Sequence, residues 1–256
     1  MIGRGTAGPV MVAMSGGVDS SVAAALLLEA GHEVIGVTLR LWGGESDSGC
    51  CAVSDVYDAR GVADALGIDH HVFNLGDAFD RDVVGPYVDD HAAGRTPNPC
   101  IECNRHVKFG RLWQRARALG FNRLATGHHA RVVVRSDGVR RIARATDPAK
   151  DQSYVLHMLG QDVLAGLLLP VGELAKAEVR RRAAAFGLRT ADKPDSQDIC
   201  FVPEGGYTEV IAGLRPEAGE PGDIVDRDGR VLGRHDGIVN FTGGQRRGIG
   251  IAGPEL

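Results

Sequence analysis

The sequence predicts an α/β protein, a doubly wound parallel sheet followed by a small β-rich second domain. Two observations carry the prediction. Short apolar runs alternate with segments of helical spacing, and glycines (Gly31, Gly67, Gly120) stand where those segments end. Strands alternating with helices across short turns pair in parallel, with crossover helices covering both faces of the sheet.

The elements follow in order. Val10-Met11-Val12-Ala13-Met14 reads as a buried strand, Ser15 to Ser21 as a turn, and Val22 to Ala30 as a helix. Glu33 to Leu41 is the second strand, Trp42 to Gly49 a polar loop, Ala52 to Leu66 a helix and Ile68 to Leu75 the third strand. Another helix is expected from Asp77, a plausible N-cap, to Ala93. The prolines of Thr96-Pro97-Asn98-Pro99 are expected to forbid helix and to give an extended loop leading to Cys100 and Cys103. Helix then returns from about Arg105 to Leu119, and a strand from Phe121 to Thr126 delivers Gly127-His128-His129. In open α/β sheets, ligands bind at that end of the strands. Val132 to Ala145 forms a hairpin turning at Ser136-Asp137-Gly138; two or three helices run to Gly187, and the loop Lys193 to Ile199 presents Cys200. From Gly213 the chain turns to Gly, Pro, Asp and short β-like runs at Asp223–Val225, Arg230–Leu232 and Ile238–Phe241. The expected domains are therefore 1–212 and 213–256.

Chemistry begins at Ser15-Gly16-Gly17-Val18-Asp19-Ser20-Ser21. A strand, a glycine and hydroxyl turn and a helix start make an anion site, because the first N–H groups of a helix have no intrahelical partner. Gly16 and Gly17 allow close backbone approach and the serines add donors. A Walker A loop would need a lysine, and none occurs in the first 100 residues; the adjacent glycines also rule out G-x-G-x-x-G. The bland alternative is a strand-to-helix turn with a serine N-cap.

Composition bounds the rest. At 256 residues, 43% hydrophobic and 24% charged, the chain has the makeup of a soluble globular protein. Neither a membrane-length apolar run nor a signal-peptide pattern is present, so a cytoplasmic protein with no membrane partner is expected. The net charge of −4 gives no global nucleic-acid signature, and no DNA partner is expected, but the charge is uneven along the chain. Residues 44–103 carry 12 Asp/Glu against 3 Arg/Lys, and residues 104–150 carry 2 against 12, a change from −9 to +10. A basic stretch in an acidic protein suits a polyanion docking on one side, unless these are solvated faces that interleave in space. The five cysteines, an odd number, argue against a disulfide framework. Cys100-Ile101-Glu102-Cys103 lacks the second half of a zinc site, so no metal ligands are assigned.

Six ordered segments resemble the tRNA-specific 2-thiouridylase (MnmA/TrmU) family of the ATP pyrophosphatase (PP-loop) superfamily. They are Met14–Ser21, Gly94–Pro99 with Cys103-Asn104, Ala125–His128, Lys150–Tyr154, Pro170–Leu174 and Asp195–Phe201. The resemblance implies an adenine nucleotide alpha hydrolase-like, Rossmann-like fold. It implies ATP-dependent 2-thiolation of the wobble uridine (U34) of Lys, Glu and Gln tRNAs, by adenylation of O2 and sulfur transfer from a cysteine persulfide. By the same resemblance, Cys200 would hold the persulfide received from an upstream sulfur carrier and Cys103 would be the nucleophile. Asn104 and Arg105, opening a helix just after Cys103, are expected to favour its thiolate. Ala13, Met14, Ser15, Gly16, Gly17, Val18, Asp19 and Ser20 would hold the phosphates, with Mg²⁺ near Asp19, and Leu39 and Gly127 would flank the adenosine. His128, Lys150, Asp151 and Gln152 would face tRNA. Read without the family, Leu39 is equally a core residue, Gly127 a turn and His128 a buried histidine.

Two departures qualify the resemblance. Many members have an acid where this chain has Cys100, so Cys100, Cys103 and Cys200 offer an alternative, a [4Fe–4S] cluster carrying the sulfur on an open iron. The family also continues into a C-terminal β-barrel that helps grip tRNA, which is missing here. Alternatives in other classes are an amide- or C–N-forming PP-loop ligase and a non-catalytic nucleotide- or tRNA-binding module. Cys50 and Cys51 take no role, Arg180-Arg181-Arg182 reads as a solvated helix face, and Arg246-Arg247 is left unassigned.

Overall fold

The structure, a computed structural model, describes residues 8–41, 53–195, 199–202 and 206–251. The expected 42–49 loop, and Cys50 and Cys51, lie outside them. Strands β1 (Val10–Ala13), β2 (Val34–Arg40), β3 (His70–Asn74), β4 (Arg123–Thr126) and β7 (Leu167–Leu168) form one parallel sheet in the order β3-β2-β1-β4-β7. The doubly wound α/β reading holds. β7 was not foreseen, because two residues are too short for periodicity to register. The hairpin of β5 (Ala130–Val134) and β6 (Arg140–Arg144) pairs antiparallel, as does that of β8 (Gly222–Val225) and β9 (Val231–His235).

Alternation along β1 explains the layers. Val10 and Val12 point to one face, where helices α1 (Val18–Glu29) and α2 (Val53–Leu66) pack with Val171, Val179 and Ala183. Met11 points to the other, among Phe79, Val83, Val107, Leu112 and Trp113. That second face is covered by two long helices with wide turns inside them. In α3, Gly76–Phe79 runs into a π-helical Asp80–Val84 and then Gly85–Ala92; in α4, Pro99–Glu102 runs into a π-helical Cys103–Leu112 and then Trp113–Ala118.

α4 corrects the expected extended loop. Pro99 takes the first helical position, where a missing N–H costs nothing, and the Asn98 side chain caps the turn by accepting from the Cys100 N–H at 3.0 Å. Cys100 and Cys103 therefore lie in the first turns of a helix. Asn104 and Arg105 lie inside it and do not open it. Asp77 is not the N-cap of α3: Leu75 holds that position, and Asn74 Oδ1 accepts from the Gly76 N–H.

The later helices are α5 (Gln161–Gly166), α6 (Lys176–Ala185) and α7 (Tyr207–Leu214). Position 212 falls within α7, and Ile211, Ala218 and Val239 join the same apolar cluster as Phe79, Tyr87 and Phe201. The β-like Ile238–Phe241 run is instead a 3₁₀ turn over Ile238–Asn240, whose Val239 is buried.

Candidate active site

β1 pairs with β2 on one side and β4 on the other, so the crossovers diverge at its C-terminal end, where open α/β sheets leave a crevice. A cavity of about 540 Å³ opens there. Ala13, Met14, Ser15, Gly17, Val18, Asp19 and Ser20 line it, with Leu39, Gly127, His128, Lys150 and Gln152; so do Cys100, Cys103 and Cys200. Gly16 and Asp151 are absent from the lining. Gly16 has φ +72°, and a Cβ there would lie 2.3 Å from the Asp55 carbonyl oxygen, so only glycine fits the turn. Asp151 turns away to accept from the N–H groups of Ala145 and Ser153 and from Ser153 Oγ.

The loop is built to leave the helix start open. Gly17 is the N-cap, extended and without a side-chain cap, so the serine N-cap alternative does not describe it. Ser20 Oγ accepts from the Ser15 N–H at 3.1 Å and Ser21 Oγ donates to the Gly17 carbonyl, fixing the turn from inside. Gly127 backs it: a Cβ there would meet Ser20 N at 2.5 Å, so β4 leads directly against the first turn of α1.

Charge concentrates behind the loop. Asp19 accepts from Lys176 Nζ through both oxygens, at 2.8 and 2.7 Å, and lies 3.0 Å from His129 Nε2. Burial pushes the Asp19 carboxyl up, but the His129 and Lys176 hydrogen bonds outweigh it and hold the group below its ordinary value. Asp195 receives Lys150 at 2.8 Å, Lys176 at 2.9 Å and Arg180 at 2.7 Å. Although burial raises it, Lys150 and Lys176 bring that carboxyl down to about 2. Lys193 also lines the cavity and bridges Asp55 and Asp58, at 2.6 Å each. Arg180 is thus no solvated residue, since its guanidinium also donates to the carbonyls of Ala191 and Lys193.

His128 is buried, with Nδ1 2.7 Å from Thr126 Oγ1. Burial, then the charges of Lys108 and His129, holds it well below the usual histidine value, so it is neutral at pH 7. His129 and Gln152 are tied reciprocally: the His129 N–H donates to the Gln152 side-chain Oε1, and the Gln152 N–H donates to the His129 carbonyl. This tie holds the 150–152 segment against the end of β4, and Lys150 and Gln152 line the cavity. Cys103 is buried, Cys200 half-buried and Cys100 exposed. Winding at about 4.4 residues per turn brings Lys108, five residues on from Cys103, to nearly the same face of α4, and both line the cavity. Among the described residues, no group of three or more His, Cys, Asp or Glu gathers as a metal would need, so the three cysteines do not fit a cluster as placed.

Sequence reasoning brings His129 to this end of the sheet without a role, and assigns no role to Lys108, Lys176 or Lys193. Lys176 stands two residues beyond the Pro170–Leu174 segment, and nothing local ties it to Asp19, 157 positions earlier.

The model of the tRNA methyl transferase HUP domain matches residues 8–204, and that of the tRNA methyl transferase PRC-barrel domain residues 209–255. Fold, crevice and match define a HUP-domain protein. The tRNA-specific 2-thiouridylase MnmA of Roseiflexus castenholzii is 52% identical over 262 residues, covering 95% of this chain and 71% of the relative. Its namesake in Chloroflexus aurantiacus is 53% identical over 250 residues, covering 96% and 70%. The chain belongs to the tRNA-specific 2-thiouridylase (MnmA) family. Among solved structures, the U34-tRNA thiolase NcsA from Methanococcus maripaludis with its [4Fe–4S] cluster aligns at TM-score 0.48 and 17% identity, over 83% of this chain and 66% of that one. A 4-thiouridine synthetase–RNA complex with bound ATP aligns at TM-score 0.48 and 16% identity, over 82% and 50%. No described helix is long and apolar enough to cross a membrane.

Proposed function

We propose that this protein is a cytoplasmic, ATP-using tRNA sulfurtransferase that converts the wobble uridine of Lys, Glu and Gln tRNAs to 2-thiouridine. One observation carries the reading: a single cavity is lined both by residues of the phosphate loop, among them Ser15, Gly17, Asp19 and Ser20, and by Cys103 and Cys200. Activation and sulfur delivery need that adjacency. Methyl transfer, the chemistry in the family models' descriptions, makes no use of a cysteine pair beside a phosphate loop. The name of the relatives, 2-thiouridylase, supports sulfur as the group transferred.

In this reading the Ser15–Ser20 turn and the open start of α1 bind the phosphates of ATP, with Asp19 toward Mg²⁺. Leu39 and Gly127 flank the adenosine. O2 of the uridine attacks the α-phosphate and pyrophosphate leaves, so C2 carries an adenylate. Cys200 holds a persulfide delivered by a sulfur carrier. The Cys103 thiolate, favoured by Lys108 on the same face of α4, attacks Sγ of Cys200. A Cys103–Cys200 disulfide forms and hydrosulfide departs; hydrosulfide attacks C2 and expels AMP. An external thiol then reduces the disulfide. Lys150 and Gln152, with the neutral His128, receive the flipped-out base, and Asp151 shapes that segment. Residues 1–212 would be the catalytic unit and 213–256 the small β-rich unit.

The test is reconstitution. Purified protein, ATP, Mg²⁺ and a persulfide donor are incubated with U34-containing tRNA, and 2-thiouridine is measured by mass spectrometry. Product that requires ATP and vanishes in Cys200→Ser supports the proposal. Undiminished product from Cys200→Ser refutes the persulfide route.

A further inference from the structure

The phosphate loop has no lysine of its own, yet Lys176 places one against it. Lys176 opens α6, where its backbone N–H donates to Asp147 Oδ2 at 3.0 Å, so its position is fixed at both ends. Its side chain is 11% exposed, and its Nζ lies within 3 Å of oxygens from both Asp19 and Asp195. Around Asp19 and Asp195 stand three permanent cations, Lys150, Lys176 and Arg180, and Asp147 on the Lys176 N–H supplies a third carboxylate, so the fixed charges of the cluster balance before His129 is counted. A sheltered lysine shared between carboxylates is weak evidence for stability, since desolvation offsets most of the attraction. A lysine that lines the same cavity as the phosphate loop, held on a carboxylate of that loop, has a clearer use. An anion entering this end of the cavity meets the Asp19 carboxylate, which repels it, and the Lys176 ammonium, which attracts it but is already engaged.

We propose that Lys176 is the pyrophosphate-gripping cation of the site, held on Asp19 as an internal counterion until a divalent cation takes its place on that carboxylate. The exchange balances charge: the metal neutralises Asp19 while the ammonium passes to the phosphates, and neither carboxylate is left bare, because Asp195 keeps Lys150 and Arg180. The proposal rests on the ATP reading given above and adds to it which residue senses the β- and γ-phosphates.

Calorimetric binding of ATP, inorganic pyrophosphate and AMP, with and without Mg²⁺, tests it on the full chain. Lys176→Met should weaken Mg-ATP and Mg-pyrophosphate by about ten- to a hundredfold, the worth of one charge-assisted contact, and leave AMP within about twofold. Lys176→Arg should restore most of the loss. Asp19→Asn should act in opposite directions, tightening metal-free pyrophosphate severalfold because Lys176 is released, and weakening Mg-ATP. Lys176→Gln, which keeps a donor toward Asp19 without the charge, reads the same ATP-to-AMP ratio should the methionine variant fold poorly. Equal losses for AMP and ATP would mark Lys176 as structural only and overturn the proposal, as would unchanged Mg-ATP affinity in both uncharged variants. Wild-type protein that binds neither ATP nor pyrophosphate overturns the ATP reading along with it. Wild-type binding that the Lys176 variants do not alter overturns this inference alone.

Discussion

Replacing Gly127 by alanine isolates the packing that holds the phosphate loop. The added Cβ would lie 2.5 Å from Ser20 N, 2.7 Å from Asp19 C and 2.9 Å from Ser20 Cα. All three atoms are backbone in the first turn of α1, so no side chain can rotate out of the way. Reaching ordinary contact requires a relative shift of about 1 Å between β4 and α1. Overpacking of this kind costs about 1–3 kcal/mol, or a fall in Tm of about 2–12 °C for a chain of this size. The control is Gly213→Ala in α7, an exposed position with nothing within 4 Å of its Cβ, which should gain about 0.5–1 kcal/mol. Urea titrations of the two variants, followed by circular dichroism, give the comparison, and ATP affinity should fall only in Gly127→Ala. A Gly127→Ala protein as stable as its parent, or stabilised like Gly213→Ala, would show that this contact does not set the position of the loop.

Further outcomes can be checked with the same preparations. Burial holds His128, and to a lesser degree His32, His70 and His91, below the ordinary histidine value, so the unfolded chain binds protons that the folded one refuses. Stability should therefore be full above the unfolded histidine pKa and decline as pH falls below about 6.5, by up to about 1.4 kcal/mol per pH unit for His128 alone. Urea midpoints that stay flat between pH 7.5 and 5.5 would refute it. Asp195 loses stability in the same direction but in a lower window: its contribution is full above the unfolded carboxyl value and is lost as pH falls from there to about 2. Salt titration at pH 4.5 should thus find the Lys150, Lys176 and Arg180 cluster intact. Asn104 is buried and donates to the Val155 carbonyl at 3.2 Å, so Asn104→Ala should cost about 1–3 kcal/mol, measured by urea unfolding. Cys100→Ser should retain thiolation within about twofold while Cys103→Ser abolishes it, and a loss as large in Cys100→Ser would return the cluster mechanism to consideration.

Local signals read well where local physics decides. Val10–Ala13, the turn and α1 follow from an apolar run, two glycines and a serine-rich helix start, and Gly127-His128-His129 follows from its place after a strand. The Asn98-Pro99 pair carries the signals of an N-cap and a first helical residue, and reading its proline as a helix breaker overlooks that proline is favoured at that position. The wide turns in α3 and α4 have no sequence period that separates them from ordinary helix. Tertiary pairing hid the rest. Lys176 with Asp19, Arg180 with Asp195 and Lys193 with Asp55 join residues 15 to 157 positions apart, and each lysine or arginine taken alone looks like a surface charge.

Among the described strands, the central one is made before its neighbours in the sheet. β1 gains one neighbour when residue 40 has been synthesised and waits for residue 126 to gain the other. At about 5–20 residues per second, those 86 residues hold its second hydrogen-bonding edge open on the ribosome for roughly 4–17 s. During that time Val10, Met11 and Val12, each at most 1% exposed in the finished fold, have no β4 to shield them. A nascent chain stalled between residues 40 and 126 is thus the form of this protein most prone to edge-to-edge association, and trigger-type holding chaperones should cross-link to β1 over that interval and release it once β4 emerges.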